Sequence, residues 1–81
     1  MLKTYPAIFH KEDTGYWVEF PEFGGGTDGS TLDEAMKNAK EMLEGVLASY
    51  IDEDMPFPEA SDITHLSVSD GFASLIQVNK K

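Results

Sequence analysis

Apolar and polar positions change their spacing several times along this 81-residue chain. Between residues 4 and 20, aromatic and β-branched side chains recur on either side of the polar stretch Lys11, Glu12, Asp13, Thr14 and Gly15. That pattern predicts two strands joined as a hairpin. Pairing Ile8 with Val18 and Pro6 with Phe20 gathers those four on one face, with Phe9 opposite Trp17 on the other. Tyr5, Ala7, Phe9 and Trp17 then share a face.

The spacing next becomes helical. Leu32, Ala35, Met36, Ala39, Met42, Leu43, Val46, Leu47 and Tyr50 form one stripe, opposite Asp33, Lys37, Lys40, Glu41 and Glu44. Ser30 or Thr31 caps this helix, and Thr31 with Glu34 has the spacing of a capping box. Gly45 inside it costs about 1 kcal/mol relative to alanine. Asp52, Glu53 and Asp54 put negative charge at the unfavourable end of the dipole, and Pro56 and Pro58 forbid continuation, so the helix stops near Ile51.

Around the helix lie connections. Gly24, Gly25, Gly26 and Gly29 permit tight turns or a short irregular edge strand. Residues 55–61 run extended, because residues before proline avoid the helical region. Residues 65–68 and 73–78 flank the turn dipeptide Asp70-Gly71 and predict a closing hairpin.

These elements define one α+β domain over residues 1–81: an antiparallel sheet of three to four strands with one main helix packed on one face. A single helix covers a single face, so the face assigned to Tyr5, Ala7, Phe9 and Trp17 calls for another cover. The last strand, with Phe72, Ser74, Ile76 and Val78, is a candidate edge for pairing with a second copy, as a homodimer or higher oligomer. A domain this small gains from such association.

Charge narrows the partner. Fifteen acidic against six basic residues give a net charge of -9, which repels phosphate backbones and anionic lipid and attracts basic proteins. There is no cysteine to form disulfides or thiolate metal sites, and no run of about 20 apolar residues to span a membrane. A cytoplasmic protein with no membrane attachment is expected.

Catalytic chemistry finds little support. Asp13, Glu19, Glu22 and Asp28 invite comparison with a two-metal nuclease, yet Asp13 and Asp28 fall in expected loops and the first strand carries no central carboxylate. The glycine run lacks a following Gly-Lys-Ser/Thr, and Asp28, Asp33 and Glu34 repel an anion at the helix start. His10 and His65 are the only histidines, and neither has a recognisable nucleophile partner. No catalytic residue, metal ligand or cofactor is assigned.

Three successive segments carry a family resemblance: Tyr5-Pro6-Ala7-Ile8, Gly15-Tyr16-Trp17-Val18-Glu19-Phe20-Pro21 and Gly29-Ser30-Thr31-Leu32-Asp33-Glu34-Ala35. With Asn38-Ala39-Lys40, Pro56-Phe57-Pro58-Glu59-Ala60-Ser61 and Gln77-Val78-Asn79, their order and spacing resemble the HicB antitoxins over nearly the whole chain. The resemblance implies a degraded ribonuclease-H-like fold that neutralises a small basic HicA-type toxin, an mRNA-cleaving protein with a catalytic histidine, by covering its active surface. Under that reading Glu12, Asp13, Trp17, Glu19, Glu22 and Phe23 are the toxin-binding candidates, combining negative charge with aromatic anchors around one hairpin. Family members usually continue into a C-terminal DNA-binding segment; these 81 residues show none, and no nucleic-acid binding is expected of them. The competing readings are a dimeric regulatory module without a toxin partner and a metal-dependent nuclease.

Overall fold

The register of one hairpin decides which side chains become the core. In the computed structural model, which describes residues 2–65 and 71–79, β1 (Leu2–Glu12) and β2 (Gly15–Phe20) are joined through only Asp13 and Thr14. The pairs are Glu12 with Gly15, His10 with Trp17, Phe9 with Val18 and Ile8 with Glu19. This shifts the expected pairing by one residue, and in a sheet such a shift moves a side chain to the other face.

The consequence is a correction. Tyr5, Ala7 and Phe9 are buried with Val18 and Phe20 beneath the helix, and only Trp17 of the four residues expected on the free face lies there. Phe9 stacks on Phe72 with ring centroids 4.9 Å apart, and Trp17 has His10 as its cross-strand neighbour. The hairpin closes tighter than the polar stretch suggested because Gly15 takes φ +148°, a backbone region open to glycine, and a Cβ there would collide with the Gly29 carbonyl oxygen.

The glycine-rich stretch forms β3 (Gly25–Gly29), and the last strand is β4 (Gly71–Asn79). All neighbouring strands are antiparallel, in the order β3-β2-β1-β4. The expected α+β architecture is thus present with four strands. β4 pairs with β1 along its whole length, from Leu2 opposite Asn79 to His10 opposite Gly71. Of the expected closing hairpin, His65 belongs to a short 3-10 turn, Ile63–His65, rather than a strand, and residues 66–70 lie outside the described residues.

The helix, α1 (Leu32–Asp52), buries Ala35, Ala39, Leu43 and Leu47 against the sheet. Small residues at Ala35 and Ala39 let its first turns approach closely, and Gly29 completes the fit, since a Cβ there would collide with the backbone nitrogen of Ala35. Thr31 Oγ1 accepts from the Glu34 amide at 3.1 Å. The return bond of the expected capping box goes one residue earlier: Glu34 Oε1 accepts from the Ser30 amide at 3.0 Å. Asn38 Nδ2 donates to the Asp28 carbonyl at 2.8 Å and ties the helix to β3.

At the other end the Met55 amide donates to the Tyr50 carbonyl and the Asp54 amide to that of Ile51. This is the Schellman arrangement, which places the residue after the cap in the left-handed region, and Asp54 has φ 54° there. An aspartate pays the Cβ penalty of that region and adds negative charge at the dipole's negative end. Asp54→Gly is expected to raise the stability of the domain by about 1 kcal/mol, measured as a higher midpoint in thermal or denaturant unfolding; an unchanged or lower midpoint would show that the cap is not under this strain.

Candidate functional site on the open sheet face

Among the described residues, alternation along the strands leaves one sheet face that α1 does not cover. Pro6 and Ile8 lie in its centre and are buried, while Leu2 and Leu75 are exposed at its β4 side. On its β2 side stand Trp17, 40% exposed, and Glu19, with His10 between them on β1. The imidazole Nε2 lies 3.0 Å from Glu19 Oε1, and the imidazole and indole centroids are 5.1 Å apart. Asp28 on β3 sits directly opposite Trp17. The glycines of β3 give the indole its room: a Cβ on Gly26 would come within 3.3 Å of Trp17 Cζ2.

Beyond Trp17 the face runs into an acidic notch at the hairpin end, lined by Glu12, Asp28, Ser30 and Glu34 among others. Exposed Asp13 stands at the hairpin tip beside it. Trp17 thus has Asp28 across from it and Glu19 two residues along the same strand, with the notch carboxylates Glu12 and Glu34 and the tip residue Asp13 toward the hairpin end, and Lys11 is the nearest basic residue in the sequence. Such a surface attracts cations and basic proteins and repels phosphate.

Four of the six candidate binding residues, Glu12, Asp13, Trp17 and Glu19, are thus brought together. Glu22 and Phe23 are not: they lie in the turn that follows the opposite end of β2, where their contacts are with the core and the connection after the helix. Phe23 is half-buried in an aromatic cluster, 4.9 Å from Tyr5, 6.3 Å from Phe20 and 5.7 Å from Tyr50 between centroids. Glu22 Oε1 accepts from the Ser61 amide at 2.9 Å, and Tyr5 Oη donates to the Pro58 carbonyl at 2.7 Å. These contacts clamp the proline-containing connection against the end of the sheet. His10 and Asp28, in turn, join the face without having been foreseen; their signal was the hairpin register, since a two-residue turn alone puts His10 across from Trp17.

The carboxylates raised as metal ligands do not converge. Among the described residues no three His, Asp or Glu side chains are placed to hold a metal ion. Neither is any described helix long and apolar enough to cross a membrane.

A one-helix antiparallel domain with an acidic, tryptophan-centred free face has the form of a protein-binding module, and the comparisons give it a family. The sequence matches the HicB-like antitoxin of bacterial toxin-antitoxin systems over residues 5–79. The chain belongs to that family, as its resemblance led us to expect. Its fold is shared by a chain of a toxin-antitoxin complex from Streptococcus pneumoniae, with 33% identity and a TM-score of 0.88, the match covering 98% of this chain and 70% of that one. No curated protein matches the sequence.

The clamp makes an alkaline prediction. Burial first, then the negative charge of Glu22 and the neighbouring Tyr50, push the Tyr5 phenol above its ordinary value of 10.0. A folded-state value above the unfolded one means that the associated stability is complete below about pH 10 and is lost as pH rises through the folded value. Tyr5→Phe should lower stability at neutral pH by about 1 kcal/mol through the lost Pro58 bond and should flatten the decline above pH 10. Denaturant titrations across that range measure both; an unaltered alkaline slope would remove Tyr5 as its source.

Proposed function

We propose that this chain neutralises a small, basic, RNA-cutting toxin of the HicA type, with the Trp17 face as the docking surface. The observation that carries this reading is the single exposed tryptophan, with Asp28 opposite it and Glu19 beside it, on the sheet face that α1 does not cover, in a domain of an antitoxin family. A protein that cuts mRNA must present cationic groups to hold phosphates, and the carboxylates here compete for those groups. Trp17 supplies the desolvated anchor and Glu12, Asp13, Glu19 and Asp28 the steering charge. The reading assigns no catalytic residue to this chain and places its action in the cytoplasm, where mRNA is cut.

The test is RNA cleavage by a HicA-type toxin from the same genome, with and without the purified chain. The expected result is protection together with co-elution of the two proteins. Trp17→Ala should weaken binding by about thirtyfold, the effect of losing an interface anchor worth about 2 kcal/mol. Glu19→Lys should slow association, most strongly at low salt. Both variants should keep the helical circular-dichroism signal. Full protection by Trp17→Ala would remove this face from the proposal, and a folded chain that never protects RNA would leave only the dimeric-module reading.

A further inference from the structure

The edge of the sheet away from β3 has a different character. β4 runs from Gly71 to Asn79 without a charged residue or a proline, and it pairs in unbroken register with β1. Edge strands are commonly guarded by lysines, prolines or bulges, because their free amides and carbonyls template pairing with another chain. Among the described residues none of these guards stands on β4, and no strand lies beyond it. Side chains of Phe72, Ser74, Ile76 and Val78 turn toward α1, with Ile76 and Val78 buried in the core, so what β4 offers outward is its backbone edge.

Apolar surface continues on both sides of that edge. Leu75 is 54% exposed, Phe72 38% and Met36 37%. Met36, Lys37 and Lys40 of α1 line a groove with Leu75, Ile76 and Gln77. In a chain of net charge -9, this uncharged strand bordered by two of the six basic residues is where a second copy meets the least like-charge repulsion. The same charge pattern makes it a poor attractor for a basic partner, whose natural target is the acidic face around Trp17.

We propose that the β4 edge, with the α1 groove beside it, is an interface with a second copy of this chain, the two β4 strands pairing antiparallel across a two-fold axis. Two four-stranded sheets would then join into one continuous sheet, and Leu75 and Met36 would pack against their counterparts across the axis. An antiparallel strand pair is self-complementary under two-fold symmetry, which closes the assembly at two copies and removes the unguarded edge. The opposite side of the sheet, carrying Trp17 and Asp28, stays free in each copy.

Sedimentation velocity of the purified chain over about 1–100 μM, the range of modest interfaces, tests this directly. The expected species at the upper end has twice the 9.0 kDa mass of one chain. Leu75→Lys restores an edge guard beside Lys37 and Lys40 and should weaken self-association at least tenfold while leaving the circular-dichroism spectrum unchanged. Met36→Lys, on the helix side of the groove, should do the same and keeps the test decisive if the strand variant fails to fold. Trp17→Lys should leave the dimer intact. A monomer throughout, a dimer indifferent to both lysine variants, or one dissolved by Trp17→Lys instead would overturn the proposal. This outcome is independent of toxin protection, so either proposal can fail alone.

Discussion

Closing the first hairpin over Asp13 and Thr14 fixes the alternation on which the rest of the molecule depends. With Glu12 paired to Gly15, Phe9 and Val18 fall on the side of the helix, and Trp17 and Glu19 fall on the other. A one-residue slip would put Phe9 and Trp17 on the same face, so that either the indole enters the core or Phe9 leaves it. The glycines at positions 15 and 29 secure that choice, one by adopting a conformation denied to other residues and the other by letting the start of α1 rest against β3. Core, free face and helix placement are therefore consequences of one turn.

From that turn the molecule divides its labour by position on the sheet. The helix occupies one face through Ala35, Ala39, Leu43 and Leu47. The connection after the helix is held at one end through Phe23, Tyr50 and Phe57, whose rings meet edge to face, and through the bonds from Tyr5 and Ser61. The hairpin end and the free face keep their acidic side chains in solvent around Trp17, which is where a basic partner gains both charge attraction and an apolar anchor. On the far side of β1 the uncharged β4 edge has the opposite electrostatic character. One small sheet thus presents two surfaces of opposite electrostatic character.

Much of this was legible in the chain itself. The helix was marked by its apolar stripe, its Thr31 cap and the prolines beyond it, and the observed Leu32–Asp52 ends within a residue of the expected stop. The α+β class and the antitoxin family followed from the order of strands, helix and motifs. The polar stretch at residues 11–15 hides the register: hydrophobicity alone cannot say that Lys11 and Glu12 continue a strand, and the difference of one pairing step moved Tyr5, Ala7 and Phe9 to the core while Trp17 stayed on the free face. Glu22 and Phe23 illustrate a second limit. An acidic residue beside an aromatic one has the composition of a contact surface, and only the fold reveals that Glu22 holds the Ser61 amide while Phe23 packs among Tyr5, Phe20 and Tyr50. His10 and Asp28 were overlooked for the same reason as the register, since their neighbourhood exists only once three strands are aligned.

The central claim, that the free face around Trp17 is the docking surface for a basic partner, can be measured at one atom, because the chain contains a single tryptophan. Labelling it as fluorotryptophan gives one fluorine resonance that reports on this site whatever aromatic residues the toxin contains. The account predicts that saturating toxin shifts this resonance and shields it from a soluble paramagnetic quencher, in step with the loss of RNA cleavage. A resonance that stays unshifted and fully accessible while the toxin is bound and silenced would contradict it.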